Sequence, residues 1–207
     1  MHEELSPAGL TVFGVALDRS ADDIRPYLER QGVTFPAVLD PEHRVAELYG
    51  IINIPTVVWI DEAMRIVRPP RIEPATNLFQ SITGLDCEPH LAALRHWVAT
   101  GETDLSAEEV RSGQIPPTRD EQLARAEFTL AWHLEQHGQK ETAERHFARA
   151  DQLAPNDWTI RRGSMPIRGM DPMGNEFFAV WQEWEAAGKP DYKSIAAERR
   201  RPKAGGG

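Results

Sequence analysis

The chain contains a single cysteine, Cys87, in the sequence Asp86-Cys87-Glu88-Pro89. Pro89 predicts that a helix begins here, where backbone amides favour the reactive thiolate, whereas the two acidic neighbours disfavour it. A lone thiol can form neither an intrachain disulfide nor a thiolate metal cage. Cys87 therefore has either a catalytic or resolving role or a structural or incidental one, and any redox chemistry requires a thiol on a partner.

His133 and His137 are four residues apart, so on a helix their side chains share one face. This spacing suits a metal ion, but the pattern is not His-Glu-x-x-His, and exposed helix faces often carry histidine pairs. The two residues are candidate ligands, yet no metal site is predicted. No cofactor is predicted either, because the sequence has no Gly-rich phosphate loop.

Three tryptophans in the second half of the chain, Trp132, Trp181 and Trp184, could line a groove that binds a peptide. Trp181 and Trp184 follow Phe177 at the spacing of one helix face. Aromatic residues at that spacing also form ordinary cores, so a structural role is the alternative.

Short apolar runs and helix signals alternate in the first half of the chain, which predicts an α/β domain. Strands are predicted at 10–17, 54–60 and 65–68, the last two as an antiparallel hairpin that Pro69 and Pro70 end, and a short extended piece is predicted at 35–40. Helices are predicted from Ser20 to Gly32, from Pro41 to Gly50 with Ala46 and Leu48 inward, and near 87–99.

From Asp120 onward the apolar period is that of helices. A helical hairpin is predicted to turn at Gly138 and to stop at Pro155, and an amphipathic helix follows near 174–187. The predicted organisation is an α/β domain over 1–100, a linker over 101–119, a helical module over 120–190 and a disordered basic, glycine-rich tail over 191–207.

Three stretches of the first half resemble the thioredoxin-like fold of the TlpA/ResA and AhpC/TSA (peroxiredoxin-type) families. They are VFGVALD (12–18), VTFPAVLDPEHRVAELYGI (33–51) and INIPTVVWIDEAMRIV (52–67), which agree with these families in order and spacing. The resemblance implies a thiol-disulfide oxidoreductase or a peroxiredoxin-type antioxidant. It also implies that Ile54, Pro55 and Thr56 face the substrate, with Pro55 as a cis-proline beside the active-site cysteines; a trans-proline opening an edge strand is the alternative.

The chain departs from these families because it has no Trp-Cys-x-x-Cys segment. In the families, a central strand and the helix that carries the cysteines lie between the strands equivalent to 10–17 and 54–60. Backbone groups buried without partners cost about 1–3 kcal/mol each. A sheet without its middle strand therefore needs other hydrogen-bond partners for the two strands beside the gap. We expect that the true start lies upstream of Met1; direct pairing of the two strands, or a strand donated by a partner, is the alternative. The chain as given is expected to be redox-inactive.

Residues 126–157, AEFTLAWHLEQHGQKETAERHFARADQLAPND, resemble a tetratricopeptide repeat. Gly138, Ala143 and Phe147 stand where that motif has a tight turn, a small packing residue and an aromatic. One repeat cannot bury its own face, so the helix near 174–187 is predicted to cap it. The alternative function is therefore a non-catalytic module that binds a protein or peptide.

Composition limits the classes of partner. A net charge of −9 argues against binding to nucleic acid or to an anionic membrane. The N-terminus has no signal-peptide pattern, and no apolar run reaches the length of a membrane span, so the predicted location is the cytoplasm. The predicted partners are a protein or peptide thiol, or a protein bound by the helical module.

Overall fold

The computed structural model describes residues 1–77 and 80–200. Their contacts divide the chain into two compact units. The strand unit consists of Met1–Leu48 and Pro55–Arg111, and the helical unit consists of Tyr49–Ile54 and the chain from Ser112 onward.

Among its described residues, the strand unit contains four short strands, six α-helices and one short 3₁₀ helix at Ser6–Ala8. In chain order the strands and α-helices are α1 (His2–Leu5), β1 (Gly14–Ala16), α2 (Ala21–Arg30), β2 (Ala37–Leu39), α3 (Arg44–Leu48), β3 (Thr56–Ile60), β4 (Ile66–Ile72), α4 (Gln80–Thr83), α5 (Glu88–Thr100) and α6 (Ala107–Gly113), whose last residues belong to the helical unit. The predicted strands and helices are thus present, with a shorter first strand and with the short acidic helix α6 inside the predicted linker.

The four strands form two separate sheets of two strands each. β1 and β2 are parallel, with Val15 opposite Val38, and β3 and β4 are antiparallel, with Trp59 opposite Arg68. β1 and β3 are not partners in either described sheet. Direct pairing of the strands predicted at 10–17 and 54–60 is therefore wrong.

Pro69 and Pro70 do not end β4, which corrects the prediction that they break the chain there. The register of the β3–β4 pair shifts between the pairs Val57–Arg71 and Trp59–Arg68, so β4 is irregular where the two prolines lie. Proline has no N–H to donate to a sheet and is tolerated at an irregular edge position. The strand can therefore continue to Ile72.

Asp40 fixes the junction between β2 and α3. Its backbone N–H donates to the Ala16 carbonyl at 2.7 Å, which extends the β1–β2 ladder by one residue. Its carboxylate accepts from the backbone N–H groups of Arg44 and Val45, both at 2.8 Å, which otherwise lack partners at a helix start. Ala46 is buried as predicted, but Leu48 is 82% exposed, so its predicted inward position is wrong.

The core of the strand unit is built around Trp59 of β3. The Trp59 ring stacks on the Trp97 ring of α5, with 5.1 Å between centroids and 15° between planes. Leu5 of α1 and Leu94 of α5 join Trp59 in the same buried cluster. This cluster attaches two helices to one face of the β3–β4 hairpin.

The helical unit contains α7 (Arg119–Gln136), α8 (Lys140–Leu153), α9 (Trp158–Arg161), α10 (Ser164–Ile167), α11 (Asn175–Ala186) and α12 (Tyr192–Arg199). α7 begins in a capping box, in which the Thr118 hydroxyl and the Glu121 carboxylate each accept from the other's backbone N–H. α7 and α8 form the predicted hairpin, with Gly138 at a φ of +74° in the turn. Their core pairs Phe128 with Phe147, edge to face, at 5.9 Å between centroids.

The end of the described chain is helical, which corrects part of the predicted disordered tail over 191–207. Asp191 caps α12 by accepting from Ser194 N at 2.7 Å, and Arg199 at its far end pairs with Glu121 of α7 at 2.5 Å. Residues 201–207 lie outside the described residues. Within the described range, none of the helices combines the length and apolarity that a membrane crossing requires.

Candidate functional site

The segment Ile54-Pro55-Thr56 leads directly into β3. Ile54 is 50% exposed and Pro55 is exposed, whereas Thr56 is half-buried. Ile54 N donates to Asn53 Oδ1 at 2.8 Å, which orders the backbone just before the proline. The segment therefore presents an apolar side chain and a proline ring to solvent, and its contact with a substrate stays a prediction.

Cys87 is buried and lies immediately before α5, so the predicted helix start is observed. Its backbone N–H donates to Asn77 Oδ1 at 2.8 Å, and its carbonyl accepts from Leu91 N at 3.0 Å. Burial hinders the approach of a peroxide or a disulfide to the sulfur. Of the two interpretations of Cys87, this position favours the structural thiol.

The densest group of charged side chains in the strand unit surrounds Arg68 of β4. We call Arg68, Glu73, His90 and Asp104 the Arg68 cluster. Arg68 Nε lies 3.1 Å from Glu73 Oε1, and Arg68 Nη1 lies 2.5 Å from Asp104 Oδ1. His90 Nδ1 of α5 is 2.6 Å from the other Glu73 oxygen, but its N–H is poorly directed for a hydrogen bond. The guanidinium also stands 4.3 Å from the centroid of the Trp59 ring, a cation–π contact.

The electrostatics of the Arg68 cluster are set by Glu73. Burial raises the pKa of Glu73, but the neighbouring His90 and Arg68 lower it by more, so the net pKa lies below the usual value. Glu73 therefore binds the guanidinium as an anion near neutral pH. Because its donors are already directed at two carboxylates, Arg68 links β4 to the loop that follows α5 and is not available to bind a substrate anion.

Sequence reasoning missed the Arg68 cluster because its members come from separate elements. Arg68 and Asp104 are 36 residues apart, and no local pattern relates them. The one available signal is the presence of two arginines, Arg68 and Arg71, among the apolar residues of β4, since a buried charge needs a partner.

His133 and His137 lie together at the end of α7, as predicted from their spacing. Their rings are 4.1 Å apart, and His137 Nδ1 is 2.7 Å from the His133 carbonyl. Among the described residues, no group of three or more His, Cys, Asp or Glu side chains is placed to hold a metal ion.

The structure does not bring the three candidate tryptophans together. Trp132 is buried in the α7–α8 core, whereas Trp181 and Trp184 of α11 pack around Trp158 and Phe177 in a separate cluster. Trp181 and Trp184 are each 5.9 Å from Trp158, which is van der Waals packing. A peptide groove lined by all three is therefore absent from the described structure, and a role for Trp181 and Trp184 alone stays a prediction.

Asp151 of α8 makes the stability of the helical unit pH-dependent. Burial raises its pKa to about 6, although Arg168, 3.6 Å away, opposes the shift. A carboxyl group with a raised native pKa destabilises the fold as pH rises from about 4 to about 6, because the unfolded state loses the proton first.

We expect Asp151→Asn to raise the free energy of unfolding at pH 7.5 by about 1–3 kcal/mol, since one pKa unit corresponds to about 1.4 kcal/mol. Urea titrations at pH 5 and pH 7.5 measure this, and the gain should shrink at pH 5. Asp171→Asn, at an exposed loop position, is the control. A destabilised Asp151→Asn protein at pH 7.5 would contradict the expectation.

Comparison with known proteins identifies one family. Residues 1–68 match the AhpC/TSA family, which supports a thioredoxin-like redoxin relationship for that part of the chain. The match covers about a third of the chain, and it includes β1, β2, β3, the start of β4 and the Ile54-Pro55-Thr56 segment. Neither the curated proteins nor the solved structures gave a match.

Proposed function

We propose that this chain acts in thiol-disulfide or peroxide chemistry of the AhpC/TSA type, together with a protein or peptide thiol partner. The observation that carries the proposal is the family match over residues 1–68, because it spans the segment that the resemblance assigns to substrate contact. In this proposal Ile54-Pro55-Thr56 receives an extended segment of the partner, and the reacting thiols are the partner's.

The position of the segment supports this role. Ile54 and Pro55 are exposed at the start of β3, the strand whose Trp59 anchors the core of the strand unit. An exposed apolar side chain next to a rigid strand suits recognition of an extended peptide, which contributes backbone hydrogen bonds and one apolar contact. Buried Cys87 supports the assignment of the reacting thiols to the partner.

A titration with the reduced insulin B chain, a peptide that carries thiols, tests the proposal. In amide NMR spectra of the full chain, we expect the largest shift changes at Ile54 and Thr56. Ile54→Asp should weaken binding about tenfold, because it replaces an apolar contact with a charge that must be desolvated.

Ile60→Asp is the matched control, since Ile60 is 37% exposed at the opposite end of β3. Cys87→Ser should leave the titration unchanged. The wild-type chain and Cys87→Ser should both show only background insulin reduction and peroxide consumption. Absence of shift changes at Ile54 and Thr56 would overturn the proposal, and so would an activity that Cys87→Ser abolishes.

A second candidate function is a non-catalytic module that binds a protein or peptide through tetratricopeptide-like helices. The observation that favours it is the α7–α8 hairpin, in which Ala143, Phe147 and Ala150 are buried and Gly138 makes the turn. The same titration separates the two candidates. Binding by the helical module would change the amide shifts of α7, α8 and α11 and would be insensitive to Ile54→Asp.

A further inference from the structure

The short segment Tyr49–Ile54, between α3 and β3, belongs to the helical unit although it lies within the sequence of the strand unit. We call it the strap. The Ile52 carbonyl accepts from Trp158 N at 2.7 Å and from Thr159 N at 3.3 Å, and Ile52 N donates to the Tyr192 hydroxyl at 2.8 Å. Both the backbone N–H and the backbone carbonyl of Ile52 are thus bound by the helical unit.

A buried ion pair holds the neighbouring residue. Arg125 Nη2 of α7 donates to the Ile51 carbonyl at 3.2 Å and to Asp157 Oδ2 at 2.7 Å. Arg125 and Asp157 are 8% and 6% exposed. A buried ion pair is costly unless further hydrogen bonds satisfy it, so its presence calls for a specific role.

Asp157 connects this ion pair to the short helix α9. Its carboxylate accepts from Thr159 N at 3.0 Å and from Ile160 N at 3.2 Å, and it takes the Thr159 hydroxyl hydrogen at 2.5 Å. These bonds orient both the guanidinium and the α9 backbone, which are the groups that bind the strap. The strap ligands therefore come from three helices, α7, α9 and α12, that are far apart in sequence.

The ligands bind the main chain of the strap at two successive residues, Ile51 and Ile52. Carbonyls of two successive residues and one amide N–H are bound, while Ile52, 8% exposed, supplies the apolar side chain. Backbone recognition of this kind, with one buried side chain, is how folded domains bind extended peptides.

We propose that Arg125, Asp157, Thr159 and Tyr192 form a peptide-backbone recognition site on the helical unit, and that the strap is its resident ligand. The site fixes the main chain of the strap at Ile51 and Ile52. Any role of this site in substrate contact rests on the proposed function. The binding of the strap by the site does not depend on that function.

Tyr192→Phe tests the site in the full chain, because it keeps the aromatic ring and removes the hydroxyl that accepts from Ile52 N. We expect the Ile52 amide to exchange its hydrogen about tenfold faster, the effect of losing one hydrogen bond of typical strength. Amide NMR measures the rate residue by residue, and it needs no binding partner, so failure here is distinct from failure of the proposed function.

Tyr49→Phe is the matched control, since Tyr49 lies in the strap and is 36% exposed. It should leave Ile52 exchange unchanged, and amides of the α7–α8 core should exchange at the wild-type rate in both variants. Ile52 exchange within twofold of wild type in Tyr192→Phe would overturn the proposal. Equal acceleration throughout α7 and α8 would also overturn it, because the change would then report general loosening.

Discussion

Replacing Phe147 with alanine is expected to lower the free energy of unfolding of the helical unit by about 3–5 kcal/mol. Phe147 is 1% exposed, and it packs edge to face on Phe128. The same buried cluster contains four alanines on the two helices, Ala124, Ala131, Ala143 and Ala150, besides the larger Trp132, Ile160 and Ile167. Alanine side chains cannot extend into the space that the ring leaves, so most of the cavity should persist. Urea denaturation followed by far-UV circular dichroism measures the loss.

Phe178→Ala provides the matched control for this prediction. Phe178 is on α11 and is 53% exposed, so the same deletion should change the free energy of unfolding by about 1 kcal/mol or less. A loss below about 1 kcal/mol in Phe147→Ala would show that α7 and α8 close over the site, and the described packing would then be wrong.

Replacing Arg68 with methionine is expected to destabilise the strand unit by about 3–5 kcal/mol, the usual cost of removing one partner from a buried ion pair. The side chain of Arg68 is 5% exposed, and that of Glu73 is 12% exposed. Without the guanidinium, the Glu73 carboxylate loses the arginine that lies 3.1 Å from it and stays buried beside the His90 ring. Hydrogen exchange at the β3 and β4 amides measures the change locally.

The pH dependence of this loss follows from Glu73. Its native pKa is below the usual value of 4.5, so its contribution to stability is present above about pH 4.5 and disappears as pH falls through the native pKa. The difference between Arg68→Met and the wild type should therefore be larger at pH 7 than at pH 4. An equal difference at both values would mean that packing on Trp59 dominates.

Arg65→Met is the matched control, because Arg65 pairs with Asp61 at the exposed hairpin turn. Exposed ion pairs contribute about 0–1 kcal/mol, so little change is expected. A similar loss in both variants would contradict the special role of the Arg68 cluster.

Elements with a strong local pattern were predictable from the sequence. The helices at 88–100, 140–153 and 175–186 follow from apolar spacing and from the proline and glycine signals at their ends. The β3–β4 hairpin follows from two apolar runs that flank a short turn. Leu48 was misplaced because α3 ends there after five residues, too few for a helical face to be defined.

The contacts that hold the elements together were not predictable. Ile51 and Thr159 are 108 residues apart, and a hydrogen bond to a backbone carbonyl leaves no trace in the type of residue that accepts it. From its sequence alone, the strap is therefore assigned to the α/β domain. The helix at 192–199 carried one signal, the capping residue Asp191, which the basic and glycine-rich composition after it obscured.

The buried position of Cys87 has a practical consequence. Because this is the only sulfhydryl group of the chain and its surroundings exclude solvent, a maleimide or aromatic disulfide reagent can reach it only when the strand unit opens. The labelling rate under native conditions therefore measures the frequency of that opening without any engineered probe. A cysteine added at the surface would be modified selectively. Slower modification of Cys87 in the same sample would still report how often the strand unit opens.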